Sequence, residues 1–250
     1  MKSFTINLRR SLKRREYVIK ELSKTPFINN KFIEGVDGSL LSHEELNEFN
    51  QERAYKRYGR SLKLGEIGCT LSHRKCYQSL LDDNNDAVII FEDDIFIRNA
   101  NRSVWDYLYS YLETVKHPTI ILLSGGFWYL NNTSTLNPNL YNVYNAYYTH
   151  SYMINRAAAE LLLRFDADYL ADDWRLLKKR GIKLFAYRPH LVDQQWDGTV
   201  PSMIQNEAKH WFNSLSLTNK IKSYLGVIPC KILGLLGRHE IDSFDNFTQI

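Results

Sequence analysis

Cysteine, proline and glycine are all scarce in this chain: its 250 residues include 3 cysteines, 6 prolines and 12 glycines. Three cysteines cannot build a disulfide framework, and they show no CxxC or Cys/His spacing typical of a zinc site, so an ordinary reduced cytoplasm fits this count. Scarce glycine and proline with no fixed period exclude collagen-like and low-complexity chains. Aromatic residues make up 13% of the chain, which excludes disorder as its dominant state.

Long hydrophobic runs are also missing. No uninterrupted run of about 18 apolar residues occurs, so the sequence predicts no membrane-spanning helix. The first residues, MKSFTINLRRSLKRRE, lack the apolar segment of a secretory signal. We therefore expect a cytoplasmic protein. Its 250 residues are enough for one large or two small domains with a sizeable core.

Charge is distributed unevenly, although the formal net charge is only +4. Residues 9–15, RRSLKRR, hold five cations and no acid, and residues 208–239 also hold cations but no Asp or Glu. Acidic clusters lie in the middle of the chain, which argues against a broad nucleic-acid-binding face. The two local basic patches suit phosphate groups or an anionic membrane surface better.

Strand-like and helix-like segments alternate along the chain. Strands are predicted over 2–8, 32–33, 88–91, 119–123, 147–154 and 182–187, and helices over 11–24, 42–54, 65–81, 103–115, 155–165 and 172–180. A capping box of Ser42 and Glu45 would begin the second helix, and residues 127–146 would form a loop or short hairpin. The alternation predicts an α/β fold with a mostly parallel central sheet.

The composition changes after residue 200, so we predict one domain over residues 1–200 and a basic, partly apolar extension over residues 201–250. Within the extension, residues 221–237, IKSYLGVIPCKILGLLG, are apolar and basic but are interrupted by glycine and proline. This segment would lie in a membrane interface or, equally, pack on the domain as a docked helix.

An acidic motif, Glu92-Asp93-Asp94, directly follows the apolar run Val88-Ile89-Ile90-Phe91. Ligands of open α/β sheets bind at the carboxyl ends of the strands, where this motif would lie. Adjacent carboxylates repel one another, and a hard cation such as Mg²⁺ or Mn²⁺ would relieve that repulsion. Because alternate residues of a strand share a face, we expect Glu92 and Asp94 to point together toward the metal and Asp93 to point away. The alternative is an exposed acidic turn after a core strand.

The basic run after the first strand lies at a predicted strand-to-helix junction, where backbone N–H groups and the helix dipole favour anions. It contains Arg9, Arg10, Arg14 and Arg15. Most of these arginines would form a solvated helix face, and one of them would reach a phosphate group. An acidic metal site together with a basic phosphate site indicates a nucleoside diphosphate as the ligand.

Four segments together resemble glycosyltransferase family 25. They are INL at 6–8 followed by RR at 14–15, GEIGCTLSH at 65–73, AVIIFEDDIFI at 87–97, and DDW…GIKLFAYRPHLVDQ at 172–194. The resemblance implies a GT-A-like nucleotide-sugar-binding fold and a divalent metal, Mn²⁺ or Mg²⁺, on the diphosphate of a UDP-sugar donor. It also implies inverting transfer of a hexose, most often galactose, to a saccharide hydroxyl. The motif is Glu-Asp-Asp rather than a strict Asp-x-Asp, which leaves the choice of metal-binding carboxylates open.

Specific roles follow from this resemblance and from the positions of the residues. Glu92 and Asp94 would bind the metal, and Asp172 or Asp173 would be the catalytic base while the other caps the following helix. Contacts to the donor are expected from Asn7, Leu8, Arg14, Arg15, His73 and Asp93. For His73 the alternative is a structural histidine bonded to a backbone carbonyl.

Further residues are expected near the site. Gly65 and Gly68 would allow close approach of the backbone to a ligand or to the neighbouring strand, and we favour packing against the strand. Residues 124–126, Ser-Gly-Gly, would shape the acceptor pocket. Aromatic residues that would stack on sugar rings, unless core packing claims them, are Phe127, Trp128 and Tyr129. Gln194 and Trp196 would close the site.

These features predict a metal-dependent hexosyltransferase of bacterial lipooligosaccharide or lipopolysaccharide synthesis. Its partners would be a UDP-hexose, a lipid-linked oligosaccharide acceptor and the anionic inner face of the bacterial inner membrane, where the protein would be peripheral; no nucleic-acid partner is expected. One alternative is a nucleotidyl or phosphoryl transferase, but no GxxxxGK[ST] loop occurs in the sequence. The other is a non-catalytic carbohydrate-binding or scaffold protein that retains the fold.

Overall fold

The computed structural model describes residues 1–132, 137–194 and 227–240. The strands are β1 (Lys2–Asn7), β2 (Asn29–Glu34), β3 (Ala87–Phe91), β4 (Ile95–Ile97), β5 (Thr119–Leu122), β6 (Phe127–Asn132), β7 (Leu140–Ala146), β8 (Ser151–Asn155), β9 (Lys183–Tyr187), β10 (Val192–Gln194) and β11 (His239–Glu240). The helices are α1 (Leu12–Leu22), α2 (His43–Glu48), α3 (Gln51–Tyr58), α4 (Leu64–Asp82), α5 (Arg102–Thr114), α6 (Arg156–Leu163) and α7 (Trp174–Lys179). Residues 227–235 are also helical and are called α8, and Gly38–Leu40 form a short 3-10 helix.

Nine strands of the described residues form one sheet in the order β11-β6-β7-β9-β5-β8-β3-β1-β2. Six of these nine run in one direction, and β8, β7 and β11 run in the other. The predicted α/β fold class with a mostly parallel central sheet is confirmed. The sequence pattern does not reveal that β8, inserted between β3 and β5, is antiparallel to both neighbours.

β3 is buried on both faces, as its continuous apolar run predicts. Val88 and Ile90 belong to the core formed with α4, α6 and α7, whereas Ile89 and Phe91 belong to the core formed with α1 and α5. A fully buried side chain of this size stabilises the fold by about 1.5–3 kcal/mol relative to an exposed one. Helices on both faces therefore anchor β3, and the residues that follow it are held at a fixed place on the sheet edge.

The predicted helix over 42–54 is wrong as a single helix. The capping box is present, because Glu45 N–H donates to Ser42 Oγ at 3.1 Å and Ser42 N–H donates to Glu45 Oε2 at 3.0 Å. The helix ends before Phe49, which is buried and forms an isolated β-bridge with Ala167. Asn50 then begins a second helix, accepting the N–H of Arg53 at 3.0 Å. Burial of one aromatic ring thus overrides helix propensity.

The hairpin predicted as one alternative for residues 127–146 is confirmed, because the successive strands β6 and β7 pair antiparallel. The strand predicted over 147–154 begins only at Ser151, because residues 147–150 form an irregular segment in which Tyr148 has a positive φ of 70°. This segment passes beside the acidic motif.

Of the predicted extension, the structure describes only residues 227–240, so the domain boundary at residue 200 stays a prediction. β11 pairs with β6, and the rings of Trp128 and His239 stack with centroids 4.3 Å apart. This part of the extension therefore packs on the domain, although it exposes the aliphatic side chains of Ile228, Ile232, Leu235 and Leu236. None of the helices within the described ranges is both long and apolar enough to cross a bilayer.

Candidate active site

The acidic motif occupies the turn that follows β3 at the carboxyl edge of the sheet. β3 ends at Phe91, and Glu92 N–H donates to His150 O at 2.9 Å. Asp93 and Asp94 lie in a turn. The expectation that Asp93 points away from the other two acids is wrong, because the alternation of a strand stops at Phe91.

Asp93 and Asp94 converge on one arginine from the first turn of α1. Arg14 Nε lies 3.0 Å from Asp93 Oδ1, and Arg14 Nη2 pairs with Asp94 Oδ2. Asn7, at the end of β1, donates from Nδ2 to Asp93 Oδ2 at 2.7 Å. Gln194, in β10, donates from Nε2 to Asp94 Oδ2 at 3.0 Å. One positive charge therefore lies between the two aspartates, and amide donors from two strands orient them.

The pKa values show that this compensation is incomplete. Burial raises the pKa of Asp93 to about 6, although Arg14 and Asn7 act in the opposite direction. Burial and the adjacent charge of Glu92 also raise the pKa of Asp94. Asp94 Oδ1 is buried and has no hydrogen-bond partner among the described residues. This oxygen is available to a cation or to a ligand hydroxyl.

Glu92 faces a different set of neighbours. Its Oε1 accepts a 2.5 Å hydrogen bond from Thr149 Oγ1 and lies 3.7 Å from His73 Nε2. Burial opposes ionisation of Glu92, but His73, His150 and Thr149 together outweigh burial and lower its pKa. Cys69 Sγ, a ring nitrogen of His73 and a carboxylate oxygen of Glu92 all lie within 4.8 Å of one another, and no other three-residue group of this kind occurs in the described chain.

His73 is buried in α4, with 2% of its surface exposed. Its Nδ1 lies 2.8 Å from Tyr152 Oη, which lies 3.1 Å from Tyr77 Oη. Its Nε2 has no hydrogen-bond partner in the part of the chain that the structure describes. The expected alternative, a histidine bonded to a backbone carbonyl, is therefore wrong. The partner of His73 Nδ1 is a tyrosine hydroxyl, and the second ring nitrogen faces Glu92.

Asp172 and Asp173 differ in what their carboxylates contact. Asp173 caps α7: its Oδ1 accepts the N–H of Leu176 at 3.0 Å, and its Oδ2 accepts the hydroxyl of Tyr58 at 2.8 Å. Asp172 Oδ2 accepts one long bond of 3.4 Å from Tyr148 N–H. Burial, reinforced by the charge of Asp173, raises the pKa of Asp172. Asp172 thus keeps most of its hydrogen-bonding capacity for a ligand, whereas both oxygens of Asp173 are used within the fold.

The structure brings four of the predicted donor contacts to the acidic turn and separates one from it. Those brought together are Asn7, Arg14, His73 and Asp93, and Leu8 directly follows Asn7. Arg15 is exposed, and its guanidinium lies 3.9 Å from the centroid of the Phe32 ring. Consecutive residues of a helix point about 100° apart, so Arg14 and Arg15 cannot both face the same turn.

The glycines of α4 have different surroundings. A Cβ on Gly68 would lie 2.6 Å from Val36 O, whereas a Cβ on Gly65 would meet no atom within 4 Å. Close packing of the backbone is therefore confirmed for Gly68, whereas the open space at Gly65 leaves approach of a ligand there as a prediction.

The sugar-stacking expectation for Phe127 and Tyr129 is wrong, because both rings are buried in the core. Trp128 is only half-buried. Gly125 has a φ of +101° and approaches Tyr147 O closely, so residues 124–126 form a tight turn beside the segment 147–150. Trp196 lies outside the described residues.

A cavity of about 350 Å³ lies where α8 packs near the β6–β7 edge. Its walls combine aromatic rings, an amide and two cations, and are formed by Trp128, Asn145, Tyr147, Arg175, Val227, Cys230, Lys231 and Gly234. Tyr148, the residue after Tyr147, stacks on His150 with ring centroids 4.9 Å apart. The short segment 147–150 thus connects this cavity with the acidic turn.

Cys69, Thr149 and His150 contact this site but are not indicated by the sequence reasoning. Because β8 is antiparallel to β3, the amino end of β8 lies at the same edge as the carboxyl end of β3. A sequence pattern predicts a strand but not its direction, so the Thr-His pair before β8 is not recognised as part of the site. For Cys69, the available indication is its spacing of four residues from His73, which places both on one face of a helix.

Comparisons with known proteins agree on one family. A family model described as "Glycosyltransferase family 25 (LPS biosynthesis protein)" matches residues 1–173. Procollagen galactosyltransferase 2 of Mus musculus is 28% identical over 171 residues, which cover 65% of this chain and 27% of the mouse protein. A probable inactive glycosyltransferase 25 family member 3 of Bos taurus is 26% identical over 167 residues, covering 64% of this chain and 28% of the bovine protein. The match thus spans little more than a quarter of each relative's length.

Solved structures with some similarity include enzymes that handle sugars. A glycosyltransferase involved in glycosylation of the major capsid of PBCV-1 has a TM-score of 0.39 at 9% identity and covers 85% of this chain and 98% of its own. A Drosophila galactosyltransferase 7 in complex with manganese, UDP-Gal and xylobiose has a TM-score of 0.39 at 11% identity and covers 82% of this chain and 77% of its own. These scores indicate a distant likeness.

Proposed function

The chain belongs to glycosyltransferase family 25, and on that premise we propose that it moves a hexose from a UDP-sugar to a saccharide hydroxyl of a bacterial lipooligosaccharide or lipopolysaccharide, with inversion at the anomeric carbon. Galactose is our first candidate for the sugar, because a relative of 28% identity is named a galactosyltransferase. The family description, which names LPS biosynthesis, supports the acceptor class.

The position of the Glu92-Asp93-Asp94 turn is the observation that carries this proposal. The turn lies at the carboxyl edge of the sheet, where α/β folds bind their ligands. Asn7, at the end of the neighbouring strand, and Arg14 hold the two aspartates there. An acidic surface turn without a function would not need such a set of orienting donors.

A divalent ion, Mn²⁺ or Mg²⁺, fits the acidic turn. Asp94 Oδ1 is a buried oxygen without a hydrogen-bond partner in the described residues, and burial together with the like charge of Glu92 raises the pKa of Asp94. A cation would give Asp94 Oδ1 a partner and would favour the ionised form of Asp94, and oxygen ligands suit a hard ion. Glu92 and Asp94 are the ligands we propose. When bound, the ion would supply electrostatic stabilisation of the departing diphosphate.

Asp172 is the residue we propose as the general base. Inversion requires the acceptor hydroxyl to attack the anomeric carbon from the face opposite the diphosphate and to lose its proton to a carboxylate. Burial raises the pKa of Asp172, which makes it a stronger base than an exposed aspartate. Because Asp173 is engaged as the cap of α7, we assign it a structural role.

The remaining donor contacts stay predictions. Asn7 Nδ2 is shared between Asp93 and the Ser11 carbonyl, at 2.7 and 3.1 Å, so in this arrangement the amide orients Asp93. Leu8 would pack on the uracil ring, and Arg15 would need to leave the ring of Phe32 to reach a phosphate.

We place the acceptor at the cavity lined by Trp128, Tyr147 and Arg175. Aromatic rings pack on the apolar faces of sugars, and Arg175 or Lys231 would pair with acidic groups of a lipooligosaccharide. The segment 147–150 leads from this cavity to Asp172, because Tyr148 N–H donates to Asp172 Oδ2.

The proposed location is the cytoplasmic face of the bacterial inner membrane. α8 supports it by exposing Ile232 and Leu235 beside Lys231, a combination suited to an anionic surface. Sedimentation with vesicles containing anionic lipid tests this location: a variant with Ile232→Glu and Leu235→Glu should bind less, and Leu40→Glu, at an equally exposed apolar site outside α8, should not. Equal sedimentation of all three proteins would contradict the membrane location.

A donor panel tests the transferase activity. The protein is incubated with Mn²⁺, a truncated lipooligosaccharide, and UDP-galactose, UDP-glucose or a UDP-N-acetylhexosamine in turn, and the release of UDP is measured. We expect one donor to be used well above the others and Asp172→Asn to remove the acceptor-dependent part of the release. No release from any donor would contradict the proposal.

A non-catalytic protein that retains the fold is the second candidate. One relative is named probable inactive, and Arg14 already pairs with both aspartates of the acidic turn. This candidate predicts no release of UDP in the donor panel and a melting temperature that does not change with Mn²⁺ and UDP.

A further inference from the structure

A second group of potential metal ligands lies beside the acidic turn and differs from it in chemistry. Cys69 and His73 are one helical turn apart on α4, and their ligand atoms lie within 4.8 Å of each other and of a Glu92 oxygen. The atoms are a sulfur, a nitrogen and an oxygen. Such a mixed set favours Zn²⁺ and related ions, whereas Mg²⁺ prefers oxygen ligands alone.

His73 is oriented for coordination. A histidine ligand uses one ring nitrogen for the metal and donates from the other to a hydrogen-bond acceptor that fixes the ring. In this site Nδ1 lies 2.8 Å from Tyr152 Oη, while the buried Nε2 has no hydrogen-bond partner among the described residues. The ring of His73 also stacks on that of Tyr152, with centroids 5.6 Å apart. The structure therefore holds a desolvated ring nitrogen in a fixed direction, facing Glu92 Oε1 at 3.7 Å.

The distances are compatible with a tetrahedral ion. Zn²⁺ binds nitrogen and oxygen at about 2.0–2.2 Å and sulfur at about 2.3 Å, which places neighbouring ligands roughly 3.3–3.8 Å apart. His73 Nε2 and Glu92 Oε1 are 3.7 Å apart. Cys69 Sγ lies within 4.8 Å of both residues' ligand atoms, so an approach of at most about 1 Å would bring it to the upper end of this range.

We propose that Cys69, His73 and Glu92 form a binding site for a thiophilic divalent ion of the Zn²⁺ class; this site shares Glu92 with the proposed Mn²⁺ or Mg²⁺ position but replaces Asp94 by Cys69 and His73. Binding replaces the thiol proton of Cys69, which is released to solvent, and leaves a thiolate, an imidazole nitrogen and a carboxylate around the ion. One coordination position is left for water, and the ion ties α4 to the turn after β3.

The sequence gives little indication of this site, because its ligands come from one helix and a distant turn rather than from paired cysteines. The site goes beyond the proposed function, since it needs neither a sugar donor nor an acceptor. It is therefore tested without an activity assay.

Cobalt titration is the decisive experiment, because a cysteine thiolate bound to Co²⁺ gives a charge-transfer band in the near ultraviolet. Chelator-treated protein is titrated with Co²⁺, and we expect the band to saturate at one equivalent and to disappear when Zn²⁺ is added. Cys69→Ser should abolish the band. Cys230→Ser, which changes a cysteine of α8, should keep it, and so should Asp94→Asn, which removes a ligand of the proposed Mn²⁺ or Mg²⁺ position.

A fourth variant allows the proposal to be tested even if the Cys69→Ser protein does not fold. Tyr152→Phe removes the partner of His73 Nδ1 but none of the ligands, so it should keep the band and weaken Co²⁺ binding by about 10–100-fold. Absence of the band in folded wild-type protein, or its persistence in Cys69→Ser, would overturn the proposal. Failure of the donor panel would leave this result untouched, so the two proposals fail separately.

Discussion

The two sides of the acidic turn have different chemistry, although three consecutive carboxylates form it. On one side, Asp93 and Asp94 contact a guanidinium and two amides contributed by α1, β1 and β10. On the other side, Glu92 faces a hydroxyl, an imidazole and a thiol contributed by α4 and the segment before β8. The difference arises because β3 ends at Phe91, so Glu92 points to one side of the turn while Asp93 and Asp94 converge on the other.

This division shows that local sequence sets the charge of a motif, whereas the topology around it sets its chemistry. On the Asp93 side the negative charge is partly compensated by a positive charge. On the Glu92 side, neutral and titratable groups surround one carboxylate. If the two sides also differ in function, substitutions on each side should have different effects.

The largest effect is expected from Asp94→Asn, which removes the charge of the carboxylate whose Oδ1 has no hydrogen-bond partner among the described residues. Turnover of the UDP-sugar should fall by about 10³-fold or more, because charge stabilisation of the departing group is lost. The measurement is UDP release with saturating Mn²⁺. Asp106→Asn, at an exposed position on α5, is the matched control and should leave turnover unchanged.

EDTA extends this first prediction. It should stop turnover of the wild type, and added Mn²⁺ should restore it. Full activity in EDTA, or an Asp94→Asn protein as active as Asp106→Asn, would remove the metal from the proposed mechanism.

The second prediction concerns α4, on which the Glu92 side depends. Gly68→Ala places a Cβ 2.6 Å from Val36 O, so it should lower the free energy of unfolding by about 1–3 kcal/mol. Gly65→Ala, three residues earlier in the same helix, meets no atom and should be neutral or stabilising by up to about 1 kcal/mol. Urea unfolding compares the two variants, and equal stability would show that α4 does not depend on this close approach.

Much of this arrangement follows from the sequence. The buried strand β3 and the acidic residues at its end are visible as an apolar run followed by three acids, and the capping box of α2 is visible as Ser42 and Glu45. These features are local, and local patterns are what a sequence displays directly.

The Glu92 side is much less predictable, because its members meet only through topology. Thr149 and His150 reach the site because β8 is antiparallel, and nothing in the pattern of residues 147–154 gives that direction. The pairing of Arg14 with both aspartates likewise depends on how α1 lies against the turn. The sequence suggests only a metal ion as the positive charge that offsets the acidic motif, whereas in the fold Arg14 supplies part of that charge.

The third prediction compares Arg14 with its neighbour. Arg14→Gln leaves Asp93 and Asp94 without their positive partner and should lower the free energy of unfolding at neutral pH by about 1–3 kcal/mol. Arg15→Gln loses an exposed contact with the Phe32 ring and should cost at most about 1 kcal/mol. Mn²⁺ should restore more of the stability of Arg14→Gln than of Arg15→Gln, because the uncompensated acids then bind the ion more tightly.

Urea unfolding with and without Mn²⁺ measures both effects. If the two variants respond alike, the guanidinium of Arg14 does not balance the acidic turn, and the distinction between its two sides is not electrostatic.

The smallest effect is a pH dependence at Asp93. Burial raises the pKa of Asp93 from 3.8 to about 6 in the folded protein, so the native state binds more protons than the unfolded chain between these values. Stability contributed by this group is therefore present below about pH 4 and is lost as the pH rises toward 6. The Asp93→Asn variant does not lose this stability as the pH rises, because its side chain does not ionise. Its amide oxygen can still accept the hydrogen bond from Asn7 Nδ2. Between pH 4 and pH 7 the variant should gain about 1–2 kcal/mol relative to wild type, less than the roughly 3 kcal/mol of the full shift, because the unfolded aspartate is already more than half ionised at pH 4.

Urea unfolding of both proteins across this pH range, in metal-free buffer, gives the relative change directly. The raised pKa values of Asp94 and Asp172 act on both proteins and largely cancel in the difference. A divalent ion should reduce the gain of the variant, because it stabilises the ionised acids of the wild type. If the free energy of unfolding depends on pH in the same way in both proteins in metal-free buffer, the pKa of Asp93 is not raised by folding. Arg14 and Asn7 would then fully offset the burial of this carboxylate.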